Sequence, residues 1–403
     1  MIARIQPALL HGTVSVPPSK SEAHRALICA ALSDAPTAIV LRGTSDDIEA
    51  TLRGLTALGA RITRSGDVLT VEPVCEPADD CAINVGESGT TLRLLLPLAG
   101  ALGCNARFVL CGLLPHRPIT PLTDALRQGG CAVEQSAPNE ILISGKLHSD
   151  EYTLPGNVSS QFVSGMLIAL SLLIGESRLR IENALESAGY VRMTMKTLAD
   201  FGASVSECAD GFRICGRPRL VSPKNVRIGG DWSAAAFWLC ADALSSEIDV
   251  RGLDSESAQP DRRIAEILRG VPSVFDASAN PDLVPPLTAF YSALGKELRV
   301  THAERLRLKE SDRLSALADM VCAMGGRAEA CSDGLCVTGG VPLTGGSVNP
   351  RGDHRIAMAA AVAAIRCMKP VEIHDAECVS KSYPDFWTDY VRLGGQVQFI
   401  QEA

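Results

Sequence analysis

The sequence predicts an α/β protein of two similar lobes, each made of three units in which a helix is followed by a β-hairpin. Three observations predict it. Helix-ending glycines recur in similar words: ALGARI at Gly59, QGGCAV at Gly129, DFGASV at Gly202, LRGVPS at Gly270, AMGGRA at Gly325 and RLGGQV at Gly394. Their intervals are 70, 73, 68, 55 and 69 residues, too long for a solenoid repeat. Each word follows a short amphipathic stretch such as residues 194–201, and most precede a strand–turn–strand signal such as residues 60–71. A glycine at a helix end suits the left-handed cap, where a Cβ is penalised. Finally, 403 residues with 46% hydrophobic content are enough for two cores rather than one.

In chain order, the first strand is expected at residues 12–16. It runs into Pro17 and Pro18, a stiff crossing point. Ser19 or Ser21 caps a helix over the apolar run 26–32, with Lys20 and Arg25 at its positive end. Residues 86–93 (GESGTTLR) form a Gly/Ser/Thr turn before an apolar helix, a shape that can cradle an anion on backbone N–H groups. Ser159, Ser160 and Gln161 open the helix carrying Phe162, Val163, Met166 and Leu170. Gly229 and Gly230 permit a second crossing, and Asp231 can cap the helix after it. The expected lobes are therefore 1–18 with 230–403, and 19–229. After Gly270 the chain passes straight to residues 271–276, without room for a hairpin, so the fifth unit is truncated.

The segment 306–314 (LRLKESDRL) holds three cations and two anions and opens a helix whose buried face is Leu314, Leu317, Ala318 and Val321. Ser311 or Asp312 caps it. Lys309 then lies just outside and Arg313 in the first turn, where cations oppose the helix dipole unless an anion binds there. Gly352-Asp-His-Arg355 opens an Ala-rich helix in the same way. Alone, such a run is a solvated face; its recurrence at several helix starts is the signal. Lys20, Arg25, Arg117, Lys309, Arg313, Arg355 and Lys381 lie at or near element starts in both lobes. A cleft so lined suits a substrate with several negative charges. Glu310, beside Lys309, and Asp282, in the loop 280–285, are the carboxylates available for acid–base work.

Composition narrows the alternatives. A net charge of −8 and 4% aromatics argue against nucleic acid as a partner. Fourteen cysteines without a CxxC pair, and seven scattered histidines, suggest free thiols in a reducing cytoplasm and no metal. The N-terminus has no signal-peptide pattern, and the longest apolar stretch, 162–174, is too short to span a bilayer, so no membrane is expected.

The words SKSEAHRAL, GESGTTLRLL, HRPITPL, SSQF, PDLVP, LRLKESDRL, GDHRIAM and SKSYPD occur in an order that closely resembles the 5-enolpyruvylshikimate-3-phosphate synthase family, from residue 12 to about 395. The resemblance implies an inside-out α/β barrel of two lobes, three βαβαββ units each, closing on substrate. It implies a monomer without cofactor that moves the enolpyruvyl group of phosphoenolpyruvate to the 5-hydroxyl of shikimate 3-phosphate by addition and elimination. Carried over by motif, Lys20, Ser21, Arg25, Ser159, Ser160, Gln161, Ser187, Tyr190, Asp282 and Lys309 resemble shikimate 3-phosphate contacts, mainly in the 19–229 lobe. Lys20, Gly89, Arg117, Gln161, Arg313, Arg355 and Lys381 resemble phosphoenolpyruvate contacts. Lys20, Asp282 and Glu310 are similar to the catalytic residues: Asp282 accepts the 5-hydroxyl proton, Glu310 protonates the methylene, and Lys20 stabilises charge.

Departures from the family pattern are Glu87 and His24, each where Asn is usual, Arg305 where some members place Asn, and the short fifth unit. The sister family acting on UDP-N-acetylglucosamine carries a cysteine in a PGGCxIGxRP loop, five residues before its arginine. Here Cys111 lies six residues before Arg117 in CGLLPHRP, and Ser21 rather than Asn follows Lys20. A non-catalytic anion-binding relative would have no need for Lys20, Asp282 and Glu310 together.

Overall fold

The computed structural model describes residues 1–401. The chain divides into two compact units, Pro18–Ile228, and Met1–Pro17 with the chain from Gly229 onward.

Within Pro18–Ile228 the repeat is plainest in its middle. Strand Cys81–Gly86, helix Gly89–Leu102, strand Ala106–Leu110, helix Thr120–Gln128 and the hairpin Cys131–Ala137 with Glu140–Gly145 follow in order. The first two strands pair in parallel and the hairpin strand Glu140–Gly145 adds antiparallel, which is a βαβαββ unit. Residues 151–216 repeat it. The first unit enters on helix Lys20–Ala31 and has no strand ahead of it. Asn225–Arg227 returns from the end of the segment to pair in parallel with Thr37–Val40, and covers the edge left open there.

Helices fill the inside and sheets face outward. Every residue of Gly89–Leu102 except Thr90 and Leu102 is buried, whereas Cys81–Gly86 alternates buried and exposed. A helix apolar all round must be enclosed; a strand with period two needs only one covered face. In the other unit, all of His354–Ala364 is buried, beside Val284–Leu294 and Trp232–Ala243.

That unit also has three sheets. One follows the repeat from Val274–Asp276 to Leu335–Val337. In another, Ile2–Gln6 is inserted antiparallel between Val371–Ile373 and Gln396–Ile400. The expectation that the first strand lies at 12–16 is corrected here: Ile2–Gln6 precedes it, with Ala3 and Ile5 turned into the core. The alternation is only five residues long and partly polar, so its pattern is weak until its two neighbours are known. His11–Ser15 is the second strand, parallel to Glu247–Arg251 in a two-stranded sheet. This is the truncated fifth unit. Helix Ile264–Gly270 ends, and Val274–Asp276 passes directly into the next sheet.

Gly59, Gly202, Gly325 and Gly394 take positive φ at helix ends as expected. Gly129 and Gly270 do not. Gly129 keeps φ −80° and leaves the left-handed position to Gly130 at +98°. At the truncated unit, Val271 takes it at +41°, a strained choice for a β-branched residue.

Candidate active site

In Pro18–Ile228, Ser19 is the cap of Lys20–Ala31 and accepts from the Glu22 N–H. Lys20 Nζ lies 2.8 Å from Asp47 Oδ2. Asp47 sits in the first turn of Asp46–Ala57, where a carboxylate is favoured by the helix dipole, and it fixes the lysine by charge. Ser21 contributes its carbonyl to Arg25 Nη1 at 2.7 Å. Arg25 is buried and spans three helices, donating to Thr194 Oγ1 (2.7 Å), Ser164 Oγ (3.4 Å) and the Tyr190 carbonyl (3.2 Å). Burial lowers it to about 10. His24, the residue before it, is buried with its Nδ1 2.7 Å from Thr51 Oγ1; the hydroxyl chain continues through Thr91 to Ser88. Burial lowers its pKa to about 3, so it is neutral, and through Thr51 and Thr91 it is linked to the helices Asp46–Ala57 and Gly89–Leu102.

Gly89, Arg93, Arg117 and Gln161 converge. Arg93 Nη1 donates to Gln161 Oε1 at 2.8 Å and Nη2 to the Pro118 carbonyl at 3.1 Å; its guanidinium lies 5.4 Å from the Phe162 ring centroid. Gln161 Nε2 reaches Thr90 Oγ1 at 2.8 Å. A Cβ added to Gly89 would stand 3.1 Å from Nη1 of both Arg117 and Arg93, so the glycine admits two guanidinium groups to one helix start. Ser159 caps Ser160–Leu170 through the Gln161 N–H. Ser187 opens Ala188–Asp200 in the left-handed region at φ 52°, and Tyr190 lies one turn along. Glu87, the departure from Asn, turns its carboxylate over Gly112, where a Cβ would collide with it.

The second unit carries the carboxylates. Arg313 is 1% exposed and meets three of them: Nε to Asp353 Oδ2 (2.8 Å), Nη1 to Asp282 Oδ1 (2.9 Å) and Nη2 to Glu310 Oε2 (2.7 Å). Arg355 Nη2 lies 3.2 Å from the other oxygen of Asp282. Glu310, beside Lys309 in the chain, thus pairs with Arg313. Asp312, not Ser311, caps the helix Arg313–Ala323, and Ser311 donates instead to Asp353. Lys381 is buried at the end of the turn Ala376–Lys381. Arg305 donates to the Ser278 carbonyl at 2.6 Å and so braces the approach to Asp282.

Electrostatics follow from this packing. Burial alone would raise Asp282, but Arg355, Lys309 and Arg313 together outweigh it and hold the carboxyl well below the usual range. Burial would lower Arg313; Asp353, Glu310 and Asp282 keep it charged above its ordinary value. Burial dominates at Lys309 and lowers it to about 8, against the pull of Asp282. Two arginines converging on one carboxylate form a fork that suits planar anions. Among the described residues no cluster of His, Cys, Asp and Glu has the makings of a metal centre, and no helix is long and apolar enough to cross a membrane.

Sequence reasoning passed over Asp47, Arg93 and Asp353. Arg93 had a signal: a lone arginine inside the run Leu92–Leu96 of a buried helix needs a partner. Asp353 reads as a helix cap from sequence, which it is, through the Arg355 N–H. Its second role as the buried anchor of Arg313 depends on a residue 40 positions away.

The family model for EPSP synthase (3-phosphoshikimate 1-carboxyvinyltransferase) matches residues 5–273 and 272–390. Proteins named 3-phosphoshikimate 1-carboxyvinyltransferase from Clostridium perfringens and Clostridium kluyveri are 37% and 40% identical to this chain. The first match covers 97% of this chain and 98% of the relative, the second 98% and 97%. A solved EPSP synthase from Acinetobacter baumannii superposes with TM-score 0.80 over 99% of this chain and all of that one, at 24% identity, a likeness of fold. The enolpyruvyl transferase NikO from Streptomyces tendae shares the fold at TM-score 0.74 and 19% identity, with 98% of each chain covered. With the family model spanning nearly the whole chain and relatives this similar along their full length, the chain belongs to the EPSP synthase family.

Proposed function

We propose that the chain transfers the enolpyruvyl group of phosphoenolpyruvate to the 5-hydroxyl of shikimate 3-phosphate and releases phosphate. Beyond family membership, the observation that carries the reading is the buried cluster of Arg313, Arg355, Asp282 and Glu310. It offers a carboxylate fork and two candidate proton-transfer groups on adjoining turns.

In the addition step, the 5-oxygen bonds to the substituted carbon of phosphoenolpyruvate, and the methylene carbon takes a proton to become a methyl. In the elimination step, the methyl returns a proton and phosphate leaves. Arg313, Arg355 and Lys381 hold phosphoenolpyruvate with Lys20, Gly89, Arg117 and Gln161. Ser21, Arg25, Ser159, Ser160, Ser187, Tyr190 and Lys309 serve shikimate 3-phosphate. Asp282 is a weak base while both arginines grip it. A substrate carboxylate that takes over the fork weakens that grip and raises the Asp282 pKa toward a useful range. Glu310, on the same arginine, is the donor to the methylene. Lys20, held by Asp47, offsets charge in the intermediate.

We further read the protein as a cytoplasmic monomer, which sedimentation of the purified chain checks for oligomeric state. The reaction itself is tested by phosphate release. Turnover is expected with phosphoenolpyruvate and shikimate 3-phosphate together. Release with UDP-N-acetylglucosamine as the acceptor, or none with either, overturns the reading.

A further inference from the structure

Strands Ala328–Ala330 and Leu335–Val337 form a hairpin, closed by the Cys331 N–H on the Gly334 carbonyl at 2.8 Å. Leu335 and Val337 point into the core. Cys336 lies on the other face, opposite Glu329 on one side and Arg299 on the other. Across the turn, Cys331 Sγ and Cys336 Sγ stand 3.7 Å apart, both half-buried. A disulfide has a bond of about 2.05 Å, so rotation of the two side chains with a small shift of the turn is needed to close it.

The turn that carries these thiols also holds up the segment that carries the proposed chemistry. The Asp333 carbonyl accepts from the Ala303 N–H at 2.7 Å. The Cys331 carbonyl accepts from Arg307 Nη2, and Arg307 Nη1 donates to Asp312 Oδ2 at 2.7 Å. Asp312 caps the helix that begins with Arg313. Two carbonyls of one tight turn thus fasten residues 303–312, the stretch that presents Lys309 and Glu310, at its start and, through the Arg307 guanidinium, at Asp312.

We propose that Cys331 and Cys336 are a redox-modifiable dithiol, closed to a disulfide by low-molecular-weight disulfides, and that closure lowers turnover by shifting residues 303–312. The thiolate of one cysteine attacks a sulfur of the small disulfide and expels a small thiolate, leaving a mixed disulfide. The second cysteine attacks the protein-side sulfur and expels the other small thiolate. The pair loses two electrons and two protons, and the small disulfide becomes two thiols. Burial, with the neighbouring Cys331 thiol, raises Cys336. Cys75, Cys111, Cys208, Cys215 and Cys322 are exposed.

The test treats the reduced full-length protein with glutathione disulfide. Peptide mapping by mass spectrometry then reads the bridge, and phosphate release reads turnover. The activity arm rests on the proposed reaction; the mass arm does not. A Cys331–Cys336 bridged peptide is expected, with kcat reduced on the order of tenfold, within the range for a slightly misplaced catalytic group, and restored by dithiothreitol. Cys331→Ser and Cys336→Ser are expected to keep full turnover and lose the sensitivity. No bridged peptide, a bridge with unchanged kcat, or equal inhibition of Cys336→Ser overturns the proposal. Absence of turnover in the reduced protein contradicts the proposed reaction, while the bridged peptide still decides whether the dithiol exists.

Discussion

Asp282 illustrates how much a single residue depends on what surrounds it. Its loop reads from sequence as a polar turn between prolines. In the fold, Arg313 and Arg355 take its two oxygens at 2.9 and 3.2 Å. Its folded pKa lies below that of the unfolded chain. The group therefore binds fewer protons folded than unfolded, and its contribution to stability is fully present above the unfolded value of about 3.9 and is lost as pH falls below it. Asp282→Asn is expected to be less stable than wild type at neutral pH by chemical denaturation, with the gap narrowing below about pH 4. A gap that stays constant down to pH 2 contradicts the pairing. The candidate lysines and arginines were legible because cations at helix starts break a local electrostatic rule, and the serines, Gly89, Gln161 and Tyr190 only through the family resemblance. Asp353 was not, because a capping aspartate obeys that rule, and nothing near it in sequence announces that Arg313 will be buried against it.

Elements were legible where periodicity and punctuation agreed. The Gly/Ser/Thr turn before Gly89–Leu102 and the apolar helix behind it stand where the sequence puts them. The five-residue strand Ile2–Gln6 did not announce itself, since its place is set by partners nearly 370 and 400 residues on. The turn at Gly86 is joined to the stretch leading to Arg117 by the Cys111 N–H on the Gly86 carbonyl at 2.8 Å. Glu87 then packs on Gly112, whose φ is +55°. Gly112→Ala introduces left-handed strain of roughly 1–2 kcal/mol and a collision with Glu87. Denaturation is expected to show that loss, with a raised Michaelis constant for phosphoenolpyruvate as Arg117 shifts. Adding Glu87→Ala is expected to relieve the collision and leave the strain. A Gly112→Ala protein as stable as wild type contradicts this account of the loop.

At the scale of the molecule, the repeat is the part of the design written most openly in the chain. Six glycine words mark six helix ends, and after four of them, Gly59, Gly129, Gly202 and Gly325, the chain turns into a hairpin. The defect is written as openly: the interval of 55 residues is the missing hairpin after Ile264–Gly270. Less legible was the closing of incomplete sheets by distant strands, Asn225–Arg227 in one unit and Ile2–Gln6 in the other. Those pairings satisfy edges that only the folded chain exposes. The residues assigned to phosphoenolpyruvate are shared out between the units, Lys20, Gly89, Arg117 and Gln161 in one, Arg313, Arg355 and Lys381 in the other. The account stands or falls on whether they perform addition and elimination with Glu310 as proton donor. The most direct measurement is magnetic resonance of the reaction in deuterated water with both substrates, comparing wild type with Glu310→Gln. The account predicts deuterium in the methylene carbon alongside phosphate release in wild type, and exchange slowed by about 10²–10⁴ in the variant, the scale of one proton-transfer group. Exchange as fast in Glu310→Gln as in wild type, or phosphate release with no deuterium in the methylene, would contradict it.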